Sequence, residues 1–133
     1  MVKNMNLVEA LEKQIDFCKL LDGYRCGVFV KYCKNIKYVS DQVYEIIHED
    51  DCIERMIRRS DMTEIYFKNG SHLKILPTTD NARGRRWNGV IIDSEIDREI
   101  QNCIILPKII PRYLDKEFEP YEETKKRIIW IGS

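Results

Sequence analysis

The sequence predicts an α/β protein, a mostly parallel central sheet with flanking helices and one β-hairpin. Three observations predict it. Residues 26–33, 89–93 and 126–131 are short, β-rich and almost continuously apolar, as strands buried on both faces are. Before and between them, apolar residues recur at steps of three and four, the period of an amphipathic helix. Lys68-Asn69-Gly70-Ser71 stands between two further apolar runs, residues 64–67 and 72–76, and Asn-Gly in that setting marks a hairpin. Strands alternating with helices favour a parallel sheet whose ligands bind beyond the carboxyl ends of the strands.

Asn6 is placed to cap a first helix through Leu7, Leu11, Ile15, Cys18 and Leu21, and Asp22-Gly23 stops it. After the strand at residues 26–33, the helical period returns through Ile36, Val39, Val43, Ile46 and Ile47. A further helix is expected over residues 51–59, with Ile53, Met56 and Ile57 opposite Glu54, Arg55, Arg58 and Arg59 on a solvated face. Residues 78–88 are polar and read as a loop holding Arg83-Gly84-Arg85-Arg86. The strand at residues 89–93 ends in Asp93, a helix follows over residues 95–106, and Pro107 and Pro111 break the chain. Residues 113–123 are acidic and are expected to be irregular, and residues 126–131 form the last strand.

At 133 residues the chain is expected to be one domain spanning 1–133, long enough for a single core. Its 44% hydrophobic and 33% charged residues exclude a disordered chain. Lys+Arg and Asp+Glu are 22 each, so there is no global attraction to nucleic acid, and any such surface must be local. No apolar run is long enough to cross a bilayer and no signal peptide is visible, which implies a cytoplasmic protein without membrane contact. The cysteines, Cys18, Cys26, Cys33, Cys52 and Cys103, are odd in number and form no CxxC, so reduced and mostly buried thiols are expected. A zinc site from Cys26 and Cys33 with His48 or His72 matches no ligand spacing.

Two groups carry candidate chemistry. Val90-Ile91-Ile92-Asp93 delivers an acid to the end of a buried strand, where it can hold Mg²⁺ or cap the following helix. Asp93, Glu95 and Asp97 at alternate positions would share a metal in a loop, but the helix expected there scatters them. Arg83, Arg85 and Arg86 beside Trp87 join phosphate-seeking charge to a stacking surface, a candidate nucleic-acid contact. In the competing and favoured reading Trp87 packs under the loop and the arginines pair with Asp93, Glu95 or Asp97.

Ile65 to Ser71 with its Asn-Gly-Ser turn, then Asn81-Ala82-Arg83-Gly84, then Asn88 to Asp93, occur in this order at close spacing. This resembles the ATPase domain of phage large terminases, over about residues 7–133. The resemblance implies a P-loop-type core with Asp93 as the magnesium-side acid and Arg83 as an arginine acting on a neighbouring subunit's nucleotide. It also implies Ser133 at the coupling position that senses the terminal phosphate. The departures are that GxxxxGK[ST] occurs nowhere, though the family places it just before the first helix, and that the Asp-Glu pair reads Asp93-Ser94-Glu95. The expectation is therefore a phage-derived, degenerate terminase-like protein that acts by binding a protein partner or DNA, not by hydrolysing ATP alone. A DNA-packaging ATPase completed by another chain, with ATP and Mg²⁺, and an anti-defence protein that binds a host nuclease complex are the alternatives. Because the family's first strand lies inside the sheet, an unpaired edge and a homo-oligomer are also expected.

Overall fold

The structure, a computed structural model, describes residues 4–78 and 85–132. Asn6 opens helix α1 (Leu7–Leu20) by accepting the Val8 and Glu9 N–H groups at 2.8 and 3.4 Å. Leu11, Ile15 and Cys18 are buried along its inner face. Gly23, at φ +70°, turns the chain into β1 (Arg25–Val30), and α2 (Lys34–Ile47) follows directly. Strands β2 (Ile53–Arg58), β3 (Thr63–Phe67) and β4 (His72–Pro77) then form an antiparallel meander, β3 and β4 being joined by the expected Asn69-Gly70 turn. After β5 (Gly89–Asp93) comes an irregular helical run: α3 (Arg98–Ile100), a π turn (Gln101–Ile105) and a 3-10 turn (Leu106–Lys108). A small hairpin of β6 (Tyr113–Leu114) and β7 (Glu117–Phe118), helix α4 (Tyr121–Lys125) and β8 (Ile128–Ile131) complete the chain.

The six-stranded sheet has the order β2-β3-β4-β1-β5-β8. β1 pairs in parallel with β4 and β5, and β5 with β8, so the sheet is mixed but mostly parallel, and β3 alone runs against the rest. α1 and α2 cover one face over Cys26, Val28, Ile65, Leu73, Ile75 and Ile91. On the other face Phe29, Leu76, Val90 and Ile92 pack with Trp87, Ile96, Ile105 and Ile109. The indole of Trp87 lies over Gly27, where a Cβ would meet Trp87 Cδ2 at 2.9 Å and Phe29 Cε2 at 2.8 Å. Glycine in the middle of a buried strand therefore makes room for the largest side chain of this core.

A buried polar network ties the layers together. Gln14 donates to the Val90 and Arg127 carbonyls at 3.2 and 2.8 Å and accepts the Tyr24 hydroxyl at 2.6 Å. Arg127 donates to the Asn88 and Glu123 carbonyls, each at 3.2 Å, pairs with Glu119, and lies over the Tyr24 ring. Each side-chain nitrogen and oxygen of Gln14, Tyr24 and Arg127 thus has a partner, as burial demands.

Several elements differ from the sequence expectation. Residues 51–59 do not form a helix; β2 occupies them. The register of β2 on β3 shifts between Ile53 and Arg55, so Ile53 opposes Phe67 and Met56 opposes Ile65, both on the α1–α2 face. An extra residue in a bulge thus turns the two-residue spacing of a strand into the three-residue spacing of a helix. Residues 113–123 are ordered, with Asp115 and Lys116 at φ 45° and 75° forming the tight turn between β6 and β7. The helical run begins at Arg98 rather than at residue 95, since residues 94–97 turn on the Ile96 N–H to Asp93 carbonyl bond of 3.0 Å. β1 ends at Val30, before Cys33, and β8 begins at Ile128.

Candidate functional site

Strands β5 and β8 end together, with Asp93 opposite Ile131. Ser94 N–H donates to the Ile131 carbonyl at 2.8 Å, and Gly132, at φ +120°, lies where a Cβ would strike Ser94 Oγ. Met5 pairs in parallel with Ile131, its N–H bonded to the Trp130 carbonyl at 2.8 Å, so the chain enters α1 from a position beside β8. A cleft of about 410 Å³ opens there, lined by Met5, Asn6, Asp93, Glu95 and Gly132 among others. The acid-tipped strand, the start of α1 and the end of β8 therefore meet at the carboxyl edge of the sheet. Ser133 and Arg83 lie outside the described residues.

Two groups at this edge already have partners within the chain. A helix start holds phosphate through free backbone N–H groups, but Asn6 already accepts two of those of α1. Asp93 Oδ1 accepts the Glu95 N–H at 2.9 Å, which makes it a turn-forming acid at its own strand end. Glu95 lines the same cleft but is exposed, as is Asp97. Among the described residues no three of His, Cys, Asp and Glu converge to hold a metal ion, which removes the shared site of Asp93, Glu95 and Asp97 and the zinc site. The cysteines also divide otherwise than expected. Cys18 and Cys26 are buried, with thiols that burial pushes well up, whereas Cys33, Cys52 and Cys103 are exposed.

Arg85, Arg86 and Trp87 precede β5 and so lie at its opposite end from Asp93; the fold does not bring the two candidate groups together. Trp87 is 1% exposed, edge-on to Phe29 at 5.7 Å, and its backbone is bonded to Lys108 and Ile110. It offers no face to a base, so the stacking role is corrected in favour of packing. Among the described residues, the Trp87 Nε1 donor has no partner. Arg86 is exposed and Arg85 half-buried.

Arg85 instead belongs with an array that sequence reasoning missed. On the half of the second face toward β2, Glu64 opposes Lys74 and Tyr66 opposes His72. Glu64 receives Arg59 at 3.3 Å and Lys74 at 3.9 Å, and the Arg55 guanidinium lies 4.8 Å from the Tyr66 centroid. Burial, then Lys74, Arg25 and Arg85, lower the His72 pKa to about 4, which leaves a neutral imidazole. Burial and Arg85 likewise lower Lys74, against Glu64. The available signal was the alternation of polar residues, Glu64 with Tyr66 and His72 with Lys74, along two otherwise apolar strands.

By fold, the molecule is an α/β protein with a mixed six-stranded sheet and its clearest acid at a carboxyl edge. No protein-family model matches the chain, and no curated protein matches it. Among the described residues, no helix is long and apolar enough to cross a membrane.

Proposed function

We propose that these 133 residues form a terminase-ATPase-like core that works by contact with a protein or nucleic-acid partner and does not hydrolyse ATP by itself. The observation that carries this reading is at α1. Met5 brings the chain into the sheet beside β8, next but one to the strand tipped by Asp93. In the resembled family a strand inside the sheet precedes the first helix and bears the phosphate loop. Here Asn6 stands at the start of that helix and caps it internally. A helix start capped by its own side chain has fewer free donors to offer a phosphate.

The test is titration of the purified protein with a fluorescent ATP analogue and magnesium, beside an ATPase assay. The expected result is no saturable binding and turnover equal to the buffer blank. Magnesium-dependent binding abolished by Asp93→Asn would overturn the reading. A second reading, a packaging ATPase completed by another chain, draws on the same Met5 bridge, because a longer strand can pair with β8 on that side. It requires ATP turnover to appear when a chain carrying GxxxxGK[ST] is added.

A further inference from the structure

Arg58 ends β2 and Arg59 follows it, and the strand brings them beside the turn from β1 into α2 rather than out on a solvated helix face. A cleft of about 690 Å³ lies between the two, lined by Lys34, Lys37, Arg58 and Arg59 with Cys33 and Asp41. Lys34 extends it, since its Nζ is also 5.3 Å from the Tyr32 ring centroid, and Lys31 approaches the same ring at 5.4 Å. Tyr32 is 49% exposed. Two carboxylates pair with these cations, Asp41, which takes Arg58 at 2.6 Å and Lys37 at 3.4 Å, and Glu64, which takes Arg59, while Asp61 stands in the exposed β2–β3 turn. Among the described residues five cations, Lys31, Lys34, Lys37, Arg58 and Arg59, exceed them, a local positive surface on a chain of zero net charge. Helix α2 starts with no acid in its first turn.

The arrangement favours a polymer over a small anion. The cations come from separate segments, the start of α2 and the end of β2, and an exposed ring flanked by two ammonium groups lies beside Lys34. Phosphodiesters suit the first feature and a nucleobase the second. We infer that this cleft binds single-stranded nucleic acid, with phosphates along Lys34, Lys37 and Arg59 and a base stacked on Tyr32. The inference deepens the contact reading by naming the partner class, and rests on it only in that respect; its residues are distinct from Met5, Asn6 and Asp93.

Fluorescence anisotropy with labelled single-stranded DNA, single-stranded RNA and duplex DNA tests it. The wild type is expected to bind single strands better than duplex, and the DNA and RNA arms decide between the two strands. Tyr32→Ala is expected to weaken binding about tenfold, the loss of one stacked base. Lys34→Gln/Lys37→Gln is expected to make the dependence of log affinity on log salt shallower by about 1.4, two phosphate contacts on a single strand. The double variant Lys13→Gln/Lys125→Gln removes the same charge from exposed positions elsewhere and is expected to bind as wild type. No binding at low salt, duplex bound as tightly as single strands, or site variants indistinguishable from the Lys13/Lys125 control overturns the inference. Failure here with ATP still unbound leaves the contact reading in place, whereas magnesium-dependent ATP binding removes that reading and leaves this cleft untouched.

Discussion

At position 127 an arginine is buried within an α/β core, which is tolerable because its donors are used on Asn88, Glu123 and Glu119 and its plane lies on Tyr24. Glu119 feels opposing influences. Burial raises its pKa, but the Arg112 N–H, the Arg127 guanidinium and the Thr124 hydroxyl outweigh it and hold the carboxyl below its ordinary range. Arg127→Met leaves that carboxylate buried without its cation, and should cost about 3–5 kcal/mol in urea denaturation. Adding Glu119→Leu should recover most of the loss, because replacing both partners avoids the stranded charge. A single variant as stable as wild type would show that the pair does not hold the β6–β7 hairpin to the sheet. In the sequence Arg127 reads only as the polar start of a strand. Its partners at Asn88 and Glu119 lie outside any local window, so its burial was not legible there.

Among the elements, α1, α2, the β3–β4 hairpin and β5 were legible because each has a local cause: a cap, a period or a turn type. For α1 that cause is measurable. Asn6→Ala removes the acceptor for Val8 and Glu9 N–H and should cost about 1 kcal/mol, a fall of roughly 4 °C in Tm by calorimetry. An unchanged Tm would mean that solvent or another group satisfies those donors equally well. β2 was misread because its bulge imitates a helical period, and the β6–β7 hairpin because a composition of acids conceals a turn made by two residues at positive φ. Asp93 was found as a strand-end acid, but its bond to the Glu95 N–H and the capping of α1 by Asn6 decide what that end can do.

For the whole molecule, the charged half-face around His72 couples stability to pH. Above the ordinary imidazole value of about 6.5, folded and unfolded chains both hold His72 neutral, and its contribution is complete. Between 6.5 and about 4 the unfolded chain takes a proton that the folded chain refuses, so stability falls as pH drops through that window. The slope from this group is at most about 1.4 kcal/mol per pH unit, and less with the ring partly in solvent. Urea midpoints at about pH 7.5 and 5 should therefore drop further in wild type than in His72→Gln, while carboxylate effects are common to both. Equal drops would show that burial and the cations around the ring do not hold it neutral.

Helices α1 and α2, the central buried strands, the hairpin turn and the cap of α1 follow from sequence alone, since periodicity, capping and turn preference act within a few residues. Tertiary structure decided the rest: that Trp87 is packed over Gly27 and not offered to a base, that Arg85 lies with His72 and Lys74 far from Asp93, and that Arg58 and Arg59 meet Lys34 across a cleft. Which charges share a dielectric and which rings are covered depends on strand order and register, and these are fixed by pairings between residues far apart in the chain.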